Sequence, residues 1–178
     1  MHRQEGLDFS TVVFFSLDEY SPPDAPATGS FENFLKSHLL DHLNVPAKNV
    51  RLIRFPTDSE VDLHCRNFER AIEEAGGIDL QILGIGRNGH IAFNEPGSSF
   101  HSRTRLVRVN NPSRSAISLG IRDIMESKRI LLLASGSEKA QILPKALSGY
   151  VTETVPASVL QNHKDLVVIA DRAAAEYL

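Results

Sequence analysis

Near the middle of the chain, a histidine and a glutamate lie close to three glycines, in a pattern that suits proton-transfer chemistry. Gly84, Gly86 and Gly89 come first, His90 follows directly, and Glu95 stands five residues later. An imidazole gives and takes protons near neutral pH because its ordinary pKa is about 6.5. Glycines allow the backbone to approach a ligand closely. The pattern therefore predicts a ligand site at which His90 and Glu95 are candidates for moving protons.

The preceding residues support that interpretation. An apolar run at residues 80–83 follows the pair Gly76-Gly77 and predicts a short buried strand that ends at the glycines. In open α/β sheets, ligands bind beyond the carboxyl ends of the strands. We therefore expect the site at the end of this strand.

Two other interpretations of the same residues fit less well. The glycines formally match the dinucleotide fingerprint GxGxxG, which needs a helix at its third glycine and an acidic residue about 20 positions later. Here Pro96-Gly97 breaks any helix, and residues 109–111 contain no acid. A zinc site is weaker still, because His90 and Glu95 are five residues apart and no HExxH motif occurs.

Asp18 and Lys139 follow two other predicted strands, at residues 11–17 and 129–134. The carboxyl ends of parallel strands meet at one edge of a sheet, so a carboxylate, an imidazole and an ammonium would surround one cleft. Such a cleft suits an anionic sugar, and a phosphate would be held beside Lys139 in the first turn of its predicted helix. Spacing alone equally allows Asp18 to be a turn residue and Lys139 a solvated surface lysine.

The remaining segments predict one domain, residues 1–178, of the α/β class: a mainly parallel open sheet with helices on both faces. Further strands are predicted at residues 50–53, 103–109, 116–119 and 165–170. Helices are predicted after Ser30, after Asp58 or Ser59, and at residues 120–127, 135–147 and 171–177. His38 and His42 have the i, i+4 spacing of a metal pair, but no third ligand is evident, and they are expected at the edge of a half-exposed helix face.

Composition narrows the partners. The 178 residues carry a formal net charge of −3 and no concentrated basic segment, which disfavours nucleic acid. No apolar run approaches the roughly 20 residues of a membrane span, and the first ten residues do not form a signal peptide. The single cysteine, Cys65, excludes an internal disulfide and fits a reducing compartment. We expect a cytoplasmic protein that binds a small molecule.

The motif GIGRNGHIAFNEPGSS followed by SRTR resembles the glucosamine-6-phosphate deaminase family, as do LDEY at 17–20, GSEKA at 136–140 and PASVLQNH at 156–163. The resemblance implies a Rossmann-like fold, shared with 6-phosphogluconolactonases, and a reaction that needs no cofactor or metal. Glucosamine 6-phosphate and water would give fructose 6-phosphate and ammonium.

The resemblance also implies a role for each matching residue. Asp18 would be the base that moves a proton between C2 and C1, and His90 would open the sugar ring. Asn88 and Glu95 would orient His90, and Glu95 would stabilise its charged form. Four residues would bind substrate and three would make allosteric or substrate contacts, namely Gly84, Gly86, Gly89 and Lys139, and Ser98, Ser99 and Arg105.

The chain departs from the family pattern at three places. Asn88 stands where many members have Asp. A section that supplies a phosphate-binding loop precedes LDEY in the family, and its loss would expose apolar surface and open strand edges, favouring self-association. The segment between Arg105 and Gly120 is shorter than the family's lid, and Arg108 and Arg114 are candidates to substitute for the lid's phosphate-binding arginine.

Three other functions are compatible with the same fold. A non-catalytic sugar-phosphate sensor would not need Asp18, His90 and Glu95 together. A galactosamine-6-phosphate deaminase would use the same residues. A lactonase of the related type is disfavoured by the sequence IAFNEP.

Overall fold

The computed structural model describes residues 6–21, 30–55, 60–109 and 115–178. Eight strands lie in these ranges: β1 (Phe14–Phe15), β2 (Asp18–Ser21), β3 (Val50–Arg51), β4 (Leu80–Gly84), β5 (Arg105–Arg108), β6 (Ser115–Ser118), β7 (Arg129–Ala134) and β8 (Leu166–Ala170). They alternate with the helices α1 (Phe31–His38), α2 (Val61–Glu74), α3 (Ile121–Met125) and α4 (Ile142–Leu147). Single or double turns of 3-10 helix lie at Leu40–His42, Ala47–Asn49, Ser137–Lys139 and Pro156–Asn162. The predicted α/β class is confirmed.

The described strands form three small sheets. The strands β4, β7 and β8 pair in parallel in the order β4-β7-β8, and β1 pairs in parallel with β3. The third sheet, β2-β6-β5, is antiparallel. The sequence predicted a mainly parallel arrangement, which holds for two of the three sheets.

The two faces of the β4-β7-β8 sheet have different environments. One face carries Leu83, Ile130 and Leu132, which are buried in a core shared with α2, α3 and α4. The other face presents apolar side chains to solvent in two rows across the strands, Ile82-Leu131-Val167 and Gly84-Leu133-Ile169. Parallel sheets are ordinarily covered on both faces. The strand at β4 is therefore only half buried, contrary to the sequence prediction, and the expected exposure of apolar surface is confirmed.

The segment predicted as one strand at residues 11–17 forms a strand only at β1. After β1, the Ser16 hydroxyl accepts a hydrogen bond from the backbone N–H of Ile53 (2.7 Å), and the chain leaves β3. It then pairs antiparallel with β6 from Asp18 onward. Asp18 therefore begins a second strand, whereas the sequence placed it just after the end of the first and equally allowed a turn there.

The helices follow their predicted positions, with corrections at their ends. Ser30 caps α1, since its hydroxyl accepts from the Asn33 N–H (3.1 Å). The predicted caps Asp58 and Ser59 lie outside the described residues, and α2 begins at Val61. Its buried face includes Cys65, and burial raises the pKa of that thiol to about 11.

Two predicted helices near the C-terminus are wrong in extent. The helix expected at residues 135–147 is one 3-10 turn followed by α4, because Pro144 lacks an N–H and fits only the first turn of a helix. Residues 171–177 form turns instead of a helix. The Asp171 carboxylate fixes them by accepting from the N–H groups of Ala174 (2.8 Å) and Gly136 (2.9 Å).

Adjacent leucines on β7 test which face of the sheet forms the core. Leu132 is 0% exposed and Leu133 is 42% exposed. We expect Leu132→Ala to lower the free energy of unfolding by about 2–5 kcal/mol, because it leaves a cavity. The matched variant Leu133→Ala should lower it by less than about 1 kcal/mol. Urea unfolding followed by circular dichroism measures both, and equal losses would contradict the assignment of the faces.

Candidate active site

An open cleft of about 620 Å³ lies at the carboxyl end of β4. Its walls come from β2, α1, the loop after β4 and the 3-10 turn after β7. The lining residues are Leu17, Asp18, Tyr20, Phe31, Gly84, Ile85, Gly86, Arg87, Asn88, His90, Ala92, Phe93, Glu95 and Lys139. The structure therefore brings together Asp18, His90 and Lys139, which the sequence placed at three strand ends.

The His90 ring is held through one of its nitrogens. Its Nδ1 atom lies 2.8 Å from Asn88 Oδ1 and 3.2 Å from Glu95 Oε1. Asn88 Oδ1 also accepts the backbone N–H of His90 (3.2 Å), and Asn88 Nδ2 donates to Glu95 Oε2 (2.6 Å), which fixes the orientation of the amide. Both oxygens beside Nδ1 are acceptors, so Nδ1 carries the proton in the neutral ring. The other nitrogen, Nε2, is then the basic one.

The glycine loop makes room for that ring. A Cβ atom at Gly86 would lie 2.3–2.5 Å from three atoms of the His90 imidazole. The backbone closes the loop through Gly86 N–H to His90 O (2.9 Å) and Gly89 N–H to Gly86 O (3.0 Å). Gly89 has a φ of +87°, and a side chain there would meet Val155. Gly86 therefore contributes space for the imidazole, whereas Gly89 turns the chain and does not line the cleft.

Asp18 lines the same cleft from β2 and is half-buried. Burial, followed by the charge of the neighbouring Glu19, raises its pKa to about 7. Since alternate residues of a strand face opposite sides, Glu19 points away from the cleft. Its carboxylate accepts the N–H groups of Tyr20 (2.9 Å), Phe31 (3.0 Å) and Glu32 (2.8 Å) and so fixes the start of α1 against β2. A carboxylate with a pKa near 7 is suited to exchange protons at neutral pH.

An aromatic wall adjoins Asp18. Tyr20 lies 5.1 Å from Phe31 and 5.0 Å from Phe93, measured between ring centroids. These rings bring together β2, the start of α1 and the loop that follows β4. They give the cleft an apolar wall beside Asp18.

The two walls are joined at Ser118 and Leu119. Ser118 pairs with Asp18 across the antiparallel sheet, and its hydroxyl accepts the N–H of Phe93 (3.1 Å). Asn94, which is 0% exposed, donates from Nδ2 to the carbonyls of Ile91 (3.0 Å) and Leu119 (2.9 Å). The loop that carries His90 is therefore bonded directly to the strand beside Asp18.

The Asn94 side chain also holds Arg105 in place through a hydrogen bond. The guanidinium donates to Asn94 Oδ1 (2.9 Å) and reaches Ser98 Oγ at 3.5 Å. Desolvation lowers the pKa of Arg105, which is partly buried. Ser98, Ser99 and Arg105, predicted to make allosteric or substrate contacts, are not among the residues that line this cleft, and those contacts stay a prediction. Arg105 completes the hydrogen bonds of a buried amide.

Positive charge enters the cleft from two loops. Lys139, whose side chain is 18% exposed, follows β7, and Arg87, whose side chain is 75% exposed, follows β4. Both form ion pairs with Glu138, and Lys139 Nζ lies 3.2 Å from Glu138 Oε1. The predicted placement of Lys139 in the first turn of a helix holds only for the three residues of Ser137–Lys139. Lys139 would therefore attract an anionic ligand through its own charge more than through the dipole of a helix.

Sequence reasoning missed several residues of the cleft. Arg87 was passed over because it occupies a variable position inside the glycine motif, although a cation beside predicted catalytic groups is itself a signal. Tyr20, Phe31 and Phe93 are separated along the chain, and no spacing rule brings them together. Asn94 is an ordinary amide in the sequence, and only its burial shows its importance.

A smaller cavity of about 80 Å³ lies elsewhere, between α2 and α3. Its Arg103 is held by Asp123 (2.6 Å) and Glu126 (2.6 Å), so its charges are already paired. In the described parts of the chain, no group of three or more His, Cys, Asp or Glu side chains is arranged to hold a metal ion. Likewise, no helix among those residues is long and apolar enough to cross a membrane.

The fold and the cleft define an α/β protein in which a carboxylate, an imidazole and two cations line one pocket. Residues 1–169 match the model of the family described as glucosamine-6-phosphate isomerases/6-phosphogluconolactonase, and the chain belongs to this family. Glucosamine-6-phosphate deaminase from Clostridium botulinum is 41% identical over 193 positions, covering 100% of this chain and 79% of the relative. The enzyme of the same name from Oceanobacillus iheyensis is 41% identical over 192 positions, covering 98% and 76%.

Solved structures agree with these relatives. A monomeric glucosamine-6-phosphate deaminase matches with a TM-score of 0.93 and 35% identity, over 99% of this chain and 79% of the other. The 6-phosphogluconolactonase of Thermotoga maritima shares the fold, with a TM-score of 0.74 and 24% identity over 93% and 75%. The alignment to the Clostridium enzyme spans more positions than the 178 residues here, so that relative has internal residues that this chain lacks.

The raised pKa of Asp18 predicts a stability effect with a definite pH dependence. Between the ordinary pKa of 3.8 and about 7, the folded protein holds a proton that the unfolded chain releases, so stability falls as pH rises through this range. Asp18→Asn removes the buried charge and should raise the free energy of unfolding at pH 8 by up to about 4 kcal/mol. At pH 4 the variant and the parent should be nearly equal. Urea unfolding at both pH values measures this, and a gain independent of pH would contradict the assigned cause.

Proposed function

We propose that this chain is a glucosamine-6-phosphate deaminase that converts glucosamine 6-phosphate and water to fructose 6-phosphate and ammonium. One observation carries the proposal: a carboxylate with a pKa near 7 lines the same cleft as Lys139 and an imidazole whose basic nitrogen is Nε2. The names of the Clostridium and Oceanobacillus relatives and of the monomeric solved structure support the same activity.

Ring opening falls to His90. Its Nε2 takes the proton of the anomeric hydroxyl and delivers a proton to the ring oxygen, which frees the aldehyde at C1. The imidazole is cationic between the two transfers, and Glu95, 3.2 Å from Nδ1, stabilises that charge. Asn88 is neutral and orients the ring through Nδ1. Glu95 therefore supplies the full negative charge in this group.

Isomerisation falls to Asp18. Its carboxylate removes the proton from C2, which the adjacent carbonyl or iminium acidifies, and returns a proton to C1. Water then replaces the nitrogen at C2, which leaves as ammonium. The pKa near 7 makes Asp18 a stronger base than an ordinary carboxylate while still ionised in about half of the molecules at pH 7. The C6 phosphate is directed toward Lys139, whose ammonium is only partly exposed.

The same features bear on the other functions. A sensor of sugar phosphates would need the cationic pocket but no base with a raised pKa, so Asp18 favours the enzyme. Glucosamine and galactosamine 6-phosphate differ only in the configuration at C4, and the same cleft would bind either sugar. We propose glucosamine 6-phosphate as the substrate because of the relatives' names. We further propose that residues 1–178 act as one domain in the cytoplasm, where phosphorylated sugars are metabolised.

Ammonium release from glucosamine 6-phosphate, measured by coupled assay without added metal or nucleotide, tests the function.

Asp18→Asn should lower kcat by roughly 10²–10⁴ while leaving fructose 6-phosphate binding nearly unchanged, because the group acts in proton transfer. In the parent enzyme, kcat/KM should fall about tenfold per pH unit below pH 7, where Asp18 becomes protonated. No turnover of either glucosamine or galactosamine 6-phosphate, with fructose 6-phosphate still bound, would favour the sensor.

We also propose that the 178-residue chain associates with itself through the exposed apolar face of the β4-β7-β8 sheet. The double variant Ile82→Thr/Val167→Thr removes two apolar side chains from one row of that face and should lower the associated fraction in light scattering. Leu106→Thr, an equally exposed position on β5, is the matched control and should have little effect. A parent chain that stays monomeric at high concentration would contradict this proposal.

A further inference from the structure

We propose that Arg87 is a second phosphate-binding cation of the cleft, held ready by Glu138 and released to the ligand when it binds. The inference rests on the proposed function, because it assigns a residue to the phosphate of the same substrate. Nothing in the motif marks Arg87, since it occupies the position between Gly86 and Asn88 that carries no proton-transfer role.

The position of Arg87 supports this role. It lines the cleft together with Lys139, and the two residues come from the loops after β4 and β7, which are neighbours in the sheet. A ligand at the carboxyl ends of these strands therefore meets a cation from each loop. A guanidinium presents paired N–H groups that match phosphate oxygens, whereas Lys139 acts as a point charge.

Without a ligand, Glu138 holds the two cations of the cleft through ion pairs. Glu138 accepts a hydrogen bond from Arg87 Nη2 with one oxygen and pairs with Lys139 at 3.2 Å with the other. Two cations thus share one carboxylate, which leaves one net positive charge beside the cleft. These hydrogen bonds, first from Arg87 and then from Lys139, hold the pKa of Glu138 below its usual value. The carboxylate therefore stays ionised at neutral pH and competes with any anion for the same two cations.

The exchange of partners requires little rearrangement. The Arg87 side chain is 75% exposed and that of Glu138 is 42% exposed, and ion pairs this open to solvent contribute little stability. A phosphate carries more charge than a carboxylate at pH 7 and offers three acceptor oxygens. Arg87 can therefore exchange Glu138 for the phosphate, and Lys139 can bind the same group from the other loop.

Opposite effects of two variants give a sharp test. Isothermal calorimetry with fructose 6-phosphate should show roughly tenfold weaker binding for Arg87→Ala, the lower end of the range for a charge-assisted contact. Glu138→Gln removes the competing carboxylate and should strengthen binding roughly two- to fivefold. With Arg87 replaced, Glu138 no longer competes with the ligand for that residue. Adding Glu138→Gln to Arg87→Ala should therefore strengthen binding much less than Glu138→Gln does in the parent. Arg87→Lys keeps the charge without the paired donors and should lie between the parent and Arg87→Ala.

The matched control lies at the other end of the same sheet. Arg129 begins β7 and forms an exposed ion pair with Asp165 (2.8 Å), so Arg129→Ala changes the net charge by the same amount far from the cleft. It should leave fructose 6-phosphate binding unchanged. Thermal unfolding of all variants shows whether any loss of affinity comes from loss of folding.

Binding of inorganic phosphate, measured beside turnover of glucosamine 6-phosphate, separates this inference from the proposed function. If Arg87→Ala weakens binding of inorganic phosphate while glucosamine 6-phosphate is not turned over, Arg87 keeps its role and the deaminase proposal fails. Equal affinity of the parent and Arg87→Ala for fructose 6-phosphate would overturn the role of Arg87, whatever the activity. A parent chain that binds neither phosphate compound would overturn it as well, and so would an effect of the same size from Arg129→Ala.

Discussion

The buried amide of Asn94 is the interaction on which the geometry of the cleft depends. Its two donors and its acceptor are all engaged, with the carbonyls of Ile91 and Leu119 and with the guanidinium of Arg105. A buried polar group left without partners destabilises a fold by about 1–3 kcal/mol, so this set of contacts specifies one arrangement of the loop. Because Leu119 directly follows the strand paired with β2, the same contacts fix the position of His90 relative to Asp18. Asp18 and His90, from distant parts of the sequence, are thereby held in one cleft.

Within this frame, each proposed catalytic group owes its properties to neighbouring residues. Glu19 contributes negative charge next to Asp18 and is satisfied by three backbone N–H groups of β2 and α1. Glu95 and Asn88 form a short chain of hydrogen bonds that leaves the second His90 nitrogen free. The glycine at position 86 matters for the same reason, since any side chain there would displace the imidazole. Preorganisation of this kind keeps the reacting groups in place without help from the substrate.

The sequence predicted well what depends on local pattern and motif. The cap at Ser30, the strand Arg129–Ala134 and the gathering of Asp18, His90 and Lys139 all follow from apolar runs, capping rules and the resemblance to a known family. It failed where long-range contacts decide. The antiparallel pairing of β2 with β6, the turns fixed by Asp171 and the engagement of Arg105 by Asn94 depend on partners roughly 100, 35 and 11 residues away, respectively, which no local spacing reveals.

The burial of Cys65 has a practical consequence. It is the single cysteine of the chain, 3% exposed, with a pKa of about 11. Because the thiolate is the reactive form, a thiol reagent at neutral pH can modify this residue only when the protein opens around α2. The rate of modification therefore reports the frequency of that opening, and no substitution in the chain is needed to measure it. If a ligand in the cleft stabilises the core around α2, Cys65 should be modified more slowly when the ligand is bound.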